Sequence, residues 1–262
     1  MENQVVIITG ASSGIGEACA IEYAKKGANL VIAGRNQEKL EQVSDIIKQN
    51  KALALPIVCD IANPDDCKNL VVQTINKFGK IDILVNNAGI SQRSLSYETI
   101  NEVERKIMEI NFFGTVYLTK LVLSHMISQR SGKIAVISSI VGKFGFPLRS
   151  SYAASKHALH GYFESLRAEV HQYNIKVIII CPGRIKTNIS VNALTKDGSE
   201  YSQMDEGQAS GVSADKCARR IIRAISKGKK EAIIGGKEVL LVYIRRFLPS
   251  LFYRIVLKTK PT

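Results

Sequence analysis

Tyr152 and Lys156 stand four residues apart at the start of a stretch with helical patterning, thirteen residues beyond Ser139. Spacing of i to i+4 puts the phenol and the ammonium on one face of a helix. A free phenol, with a pKa of about 10, is too weak an acid for work near neutrality, and a neighbouring cation lowers it. Tyr152 also falls in the first helical turn, after Pro147 and the Ser150-Ser151 pair, where the positive end of the macrodipole favours a phenolate. Ser139 ends the apolar run Ile134-Ala135-Val136-Ile137, so its hydroxyl sits at the carboxyl end of a buried strand and can hydrogen-bond a carbonyl held beside the phenol. The chemistry on offer is proton transfer to or from a carbonyl or alcohol oxygen. A lone Tyr-x-x-x-Lys is short and common, and without company it describes a helix surface.

The company begins at the N-terminus. Thr9-Gly10-Ala11-Ser12-Ser13-Gly14-Ile15-Gly16 follows the apolar run Gln4-Val5-Val6-Ile7-Ile8. Gly10, Gly14 and Gly16 let the backbone turn tightly and approach a pyrophosphate, which the amides and dipole of the following helix stabilise. The spacing GxxxGxG differs from the GxGxxG of many dinucleotide folds, and alone it describes a tight connection as well as a phosphate cradle.

Short Val/Ile/Leu runs at 4–9, 29–33, 53–58, 81–85, 133–138, 175–181 and 231–234 alternate with helical segments near 14–26, 36–50, 64–78, 98–128, 151–173 and 213–227. Continuous apolar strands are those of a parallel sheet covered on both faces. The alternation predicts an α/β fold, a Rossmann-type doubly wound, mostly parallel seven-stranded sheet over residues 1–236, with 237–262 as a helical extension of the same domain. At 262 residues and 45% hydrophobic composition one large core is expected. Gly10 then follows the first strand, Asp60 the third, Asn86-Asn87-Ala88-Gly89 the fourth, Ser139 the fifth and Cys181-Pro182-Gly183 the sixth. All converge on the carboxyl edge, where such sheets bind ligands. The set describes a nicotinamide-dependent oxidoreductase.

With those residues assembled, the chain resembles the short-chain dehydrogenase/reductase family, over residues 4 to about 234, and within it the hydroxysteroid-dehydrogenase-like members. The resemblance implies Tyr152 as general acid/base and Ser139 as the group orienting the carbonyl. It implies that Lys156 binds the nicotinamide ribose and lowers the tyrosine pKa, and that Asn111 completes a proton relay through water. Without the family, Asn111 reads only as a polar residue of a helix. The cofactor would be held by Gly10, Ser12, Ser13, Gly14, Ile15 and Gly16, by Arg35, Asp60 and Ile61, by Asn87, Ala88 and Gly89, by Tyr152 and Lys156, and by Pro182, Gly183, Ile185 and Thr187. Asp60 would contact the adenine, or cap the helix that begins at Asn63-Pro64, or both.

Charge bears on the choice of cofactor. An NAD site usually has an acid at the end of the second strand, whereas this chain reads Val31-Ile32-Ala33-Gly34-Arg35-Asn36. Arg35 just before a helix start is mildly unfavourable unless an anion such as a 2′-phosphate compensates it, so NADP(H) is expected. The five cysteines lack CxxC pairing and fall in apolar stretches, as buried thiols of a reducing compartment do. His157 and His160, three apart, read as surface or helix-contact residues, and no metal is implied. No export signal precedes the first strand, so a cytoplasmic protein is expected.

From Asp215 onward there are 13 Lys/Arg against 3 Asp/Glu, so most of the net charge of +13 belongs to the tail. There, 239–248 and 251–257 read as two short helices broken at Pro249-Ser250. Their charges rule against a transmembrane span. Two readings stand open: residues 238–258 lie on an anionic membrane surface, or they pack on a second subunit or over the substrate pocket. Nucleic acid is not expected, since no recognition motif accompanies the charge. The polar segment Thr187 to Val212 reads as a mobile lid. The whole describes an enzyme that interconverts a lipophilic secondary alcohol with a ketone or aldehyde, as a homodimer or homotetramer. A 3-ketoacyl reductase and a non-catalytic dinucleotide-sensing scaffold are the alternatives.

Overall fold

The computed structural model describes residues 1–259. Seven strands form one sheet: β1 (Val5–Thr9), β2 (Asn29–Gly34), β3 (Ala54–Val58), β4 (Ile83–Asn86), β5 (Gly132–Ile137), β6 (Ile175–Pro182) and, after a minor parallel pair of β7 (Ile185–Lys186) with β8 (Val212–Ser213), β9 (Glu231–Ile234). The order is β3-β2-β1-β4-β5-β6-β9, and every pairing is parallel, so the sheet is wholly rather than mostly parallel. The chain reverses direction across the sheet between β1 and β4, which opens a crevice at the carboxyl ends of those two strands.

Parallel strands need crossovers, and the helices between them supply these on both faces. On one face α1 (Gly14–Ala24), α2 (Gln37–Gln49) and α8 (Ala214–Ser226) cover Val6, Ile8, Leu30, Ile32, Ile178 and Ile180. On the other, α3 (Pro64–Phe78), α5 (Thr115–Gln129) and α6 (Ser150–Glu169) cover Ile7, Val31, Leu84, Ile134, Val136 and Ile179. Alternate residues of one strand thus serve two cores, and all five residues of β1 are buried. Each such Val or Ile gains about 1.5–3 kcal/mol on leaving water, which fixes the sheet as the rigid base of the site.

The single helix expected over 98–128 is instead α4 (Asn101–Met108), a π-helical turn at Glu109–Gly114, and α5. The extra residue in that turn is held by Asn111, which is fully buried. Its Oδ1 accepts from the Ile90 amide at 2.8 Å, and its Nδ2 donates to the Ile90 carbonyl at 3.0 Å and to Ser155 Oγ at 2.9 Å. π-turns of this kind recur at functional sites. The whole run Asn101–Gln129 is long and apolar enough to cross a membrane by composition, but half of its apolar window is buried in the fold, as in a core helix.

The tail forms α9 (Leu240–Phe247) and α10 (Pro249–Lys258). The break lies at Leu248, and Pro249 opens α10 instead of interrupting it. Proline suits the first helical position, where its missing N–H has no partner to lose.

Candidate functional site

The glycine turn lies over the crevice. Gly10 has a φ of 62°, in the left-handed region, and a Cβ there would meet the backbone of Ala88 at 2.9 Å. A Cβ on Gly16 would collide with the Gly10 carbonyl, so α1 can approach the turn only with glycine there. Thr9 Oγ1 accepts from the amides of Asn87 and Ala88, at 3.0 Å each, and Asn87 Nδ2 donates back to the carbonyls of Thr9 and Gly10 at 3.0 and 3.1 Å. The first and fourth strand ends are thereby stitched into one wall.

A cleft of about 510 Å³ runs along this wall. Of the residues expected to hold a dinucleotide, Gly10, Ser12, Ser13, Gly14, Ile15, Arg35, Asp60, Ile61, Asn87, Ala88, Gly89 and Thr187 line it. Gly16, Tyr152, Lys156, Pro182, Gly183 and Ile185 do not. Gly16 shapes the turn from behind, the Pro182 carbonyl accepts from Ser139 Oγ at 3.4 Å, and the Gly183 amide donates to Ile234 within the sheet at 2.7 Å. Ile185 is buried in the core, where strand ends are spent on packing and hydrogen bonds. Asp60 does not cap α3; Asn63 does, accepting from the Asp65 amide at 3.0 Å, while Asp60 Oδ1 accepts from Ala62 at 3.0 Å in a tight turn. Lys39, one turn beyond Arg35, lines the same mouth and was not foreseen. The i, i+4 spacing from Arg35 was the available signal.

The residues expected to transfer a proton sit beyond Gly89. Tyr152 occupies the first turn of α6 and is buried. Burial pushes its phenol above the ordinary range, opposed by the Arg149 guanidinium, the Ser139 hydroxyl and Arg93. Lys156, expected to lower that pKa, is not among these influences. Its ammonium donates to the Ile137 carbonyl at 2.8 Å and lies over the Tyr152 ring, 5.7 Å from its centre. Burial brings the Lys156 ammonium down to about 8. A Cβ on Gly89 would meet Asn111 Oδ1 at 3.0 Å and Lys156 Nζ at 3.4 Å, so both flank the inner end of the cleft. Ser139, Tyr152, Lys156 and Asn111 therefore come together where the sequence placed them. Asn111 spends its side chain on Ile90 and Ser155, which fixes α4–α5 to the floor of the site.

His160, read as a surface or helix contact, is buried behind this set. Its Nε2 lies 3.1 Å from Ser138 Oγ, and desolvation takes its pKa down to about 4. All five cysteines are buried free thiols.

The lid segment is also more tightly held than its composition suggests. The Asp205 carboxylate is buried between Arg93 and Arg149, and the Leu194 amide donates to the Ser91 carbonyl at 2.9 Å. One buried acid among polar neighbours is invisible to a composition reading, because its partners are distant in sequence. The tail joins a further apolar cluster: Phe252 is buried with Ile140, Val141, Phe144, Tyr152 and Ala153, and Val239, Leu241, Val242, Ile244 and Val256 pack against them. The Phe144 and Phe252 rings lie 5.1 Å apart.

Comparison with known proteins agrees with this geometry. The family model described as short chain dehydrogenase matches residues 4–198. The dehydrogenase/reductase SDR family member 7B of Bos taurus is 43% identical over 263 residues, spanning 98% of this chain and 81% of the relative. Among solved structures, a short chain dehydrogenase/reductase from Burkholderia phymatum in complex with NAD superposes with a TM-score of 0.84 at 23% identity, over 100% of this chain and 97% of that one. An alcohol dehydrogenase from the archaeon Thermococcus sibiricus, complexed with 5-hydroxy-NADP, gives 0.78 at 22% identity, over 90% and 97%.

Proposed function

The chain belongs to the short-chain dehydrogenase/reductase family, and on that premise we propose that it is an NADP(H)-dependent oxidoreductase acting on a lipophilic secondary alcohol or its ketone or aldehyde. The observation that carries the reading is the cleft lined by the glycine turn, whose Gly89 abuts Asn111 and Lys156, with the buried Tyr152 one helical turn before Lys156. The cleft fits a dinucleotide: its glycines leave no side chain in the way, and the N-terminus of α1 faces it.

Bound there, a nicotinamide supplies or accepts the hydride. Tyr152 transfers the proton at the substrate oxygen, and Ser139 Oγ orients that oxygen. Lys156 holds the ribose side and Asn111 braces the floor. Arg35 and Lys39 at the mouth, with no acid at the end of β2, support a 2′-phosphate. The apolar wall of Phe144 and Phe252 beside Tyr152 supports a lipophilic substrate.

Two surfaces extend the reading. The outer faces of α9 and α10 expose Leu240, Tyr243, Phe247, Leu251, Tyr253 and Leu257 next to Arg246, Arg254 and Lys258, which suits the surface of an anionic membrane on the cytoplasmic side. A groove of about 510 Å³ between α4, the π-helical turn and α6 carries Met108 and the exposed Phe113 among Glu104, Arg105 and Glu109. Acids and a base on one apolar patch are self-complementary across a two-fold axis, which supports a homo-oligomer. The enzymatic reading is tested by following nicotinamide absorbance with the purified protein, NADPH or NADH, and a panel of ketones of rising chain length. NADPH-dependent turnover that improves with chain length is expected. No turnover of any ketone, and none of the alcohols with NADP⁺, would overturn it.

A further inference from the structure

Two arginines share one carboxylate beside the catalytic helix. Arg93 donates through Nε to Asp205 Oδ1 and Oδ2 at 3.3 and 3.1 Å, and through Nη2 to Oδ2. It also donates to Ser91 Oγ at 2.9 Å and to the Gln92 carbonyl at 2.6 Å, so its guanidinium is fully engaged. Arg149 donates to Asp205 through Nη2 alone, at 3.0 Å. Its Nε is sealed from solvent with no partner, and its side chain is 21% exposed. A third cation, Arg184, packs its guanidinium against Gly207, two residues from Asp205.

Among the described residues, no other acid balances this cluster. Glu104 accepts from Ser151 Oγ at 3.0 Å, Glu238 is taken by the amides of Arg184 and Gly236 at 2.8 and 3.0 Å, and Glu206 is exposed. A buried cation without a counter-charge is costly, and a donor left unpaired adds to the cost. Desolvation and the neighbouring Arg93 bring the Arg149 guanidinium down to about 10.

The place is as informative as the charge. Arg149 is the residue before the first turn of α6, three positions from Tyr152, and it is the foremost cation lowering the phenol's pKa. The preceding Leu148 adopts a φ of 62°, a left-handed conformation that a branched side chain resists, and its carbonyl is held by the Ser94 amide at 3.2 Å. Strain of this kind persists where the surroundings impose it, and it collects at ligand-binding sites.

We propose that Arg149, backed by Arg93 and Asp205, forms an anion-binding subsite beside Tyr152 that takes the carboxylate or phosphate of the carbonyl substrate. The proposal rests on the oxidoreductase reading and adds a specificity to it: the substrate carries an anionic oxygen group near its carbonyl as well as an apolar chain. Arg149 reads the anion through its spare donors. Asp205 brings the lid segment against the same guanidinium.

The test compares three probes of matched chain length, an oxo acid, its methyl ester and an oxoalkyl phosphate, on the wild type, R149M and R149K. One charge-assisted hydrogen bond predicts a kcat/KM for the acid or the phosphate about tenfold to a hundredfold above the ester, carried mainly by KM. R149M should lose that ratio and R149K should recover part of it. The better of the two anionic probes identifies the group. A ratio near one in the wild type, or a ratio that survives in R149M, overturns the proposal. Because R149M also leaves Asp205 with one cation, thermal unfolding and NADPH titration of each variant separate loss of the fold from loss of the subsite. Failure of all three probes to turn over would count against the oxidoreductase reading instead. Calorimetry of the oxo acid and the ester on the protein saturated with NADP⁺ then still reads the subsite, and equal affinities would overturn it.

Discussion

Tyr152 is pulled in opposite directions, upward by burial and downward by Arg149, Ser139 and Arg93. Its substitution by Phe removes one hydroxyl and almost no volume. Tyr152→Phe is therefore expected to keep the unfolding temperature and NADPH affinity while turnover falls by about 10²- to 10⁴-fold, the range for a general acid/base. A loss under about tenfold would remove Tyr152 from that role. Lys156 predicts a pH dependence. Burial sets its ammonium at about 8, below its free value of 10.5, so positive charge is lost as pH rises through that region. NADPH affinity, measured by fluorescence, should weaken above that pH in the wild type and stay flat in Lys156→Met. At the mouth, Arg35→Ala should weaken NADPH by roughly 1.5–3 kcal/mol for a lost charge-assisted bond and leave NADH nearly unchanged. Equal losses for both would argue that the arginine is only solvated.

At the scale of elements, α10 both packs on the body of the fold through Phe252 and presents a surface. Phe252 is 2% exposed, whereas Leu251, Tyr253 and Leu257 on the same helix are 45%, 53% and 86% exposed. The buried Phe252 and the exposed residues lie on different faces of α10, so deleting the tail would remove both at once. Phe252→Ala separates them: it opens a cavity against Phe144, with an expected cost of about 3–5 kcal/mol that thermal or denaturant unfolding would register. The cavity adjoins Tyr152, so KM for a lipophilic ketone should rise with it. Unchanged stability and unchanged KM would mean that the tail is not part of the pocket.

Across the whole molecule, charge is divided unevenly. The basic residues concentrate beyond Asp215, and the outward face of α9 and α10 joins them to exposed aromatic and leucine side chains. Sedimentation with vesicles of anionic lipid should therefore be salt-sensitive, since screening shortens the reach of surface charges to about 8 Å at physiological ionic strength. Replacing Phe247, Leu251 and Leu257 together by Glu should abolish sedimentation and leave NADPH binding intact. Sedimentation that survives the triple replacement would place the lipid contact elsewhere.

The order of strands and helices was legible because it is written locally: unbroken Val/Ile/Leu runs can only be parallel strands covered on both faces, and the glycine turn, Ser139 and the Tyr152–Lys156 pair fall at their ends. Ser139, Tyr152 and Lys156 could be proposed as a set from the chain for that reason, whereas Asn111 entered only through the family resemblance, since nothing in Ile110-Asn111-Phe112 announces a π-turn. What the chain could not show depends on partners far apart in sequence. The Arg93–Asp205–Arg149 cluster joins residues 112 and 56 positions apart, the capping role fell to Asn63 rather than Asp60, and the Lys156 ammonium went to the carbonyl of Ile137. The tail's amphipathic character was set by its residues, but only packing decided that Phe252 lies buried against Phe144 while its neighbours face outward, because a helix has more apolar side chains than one contact can bury.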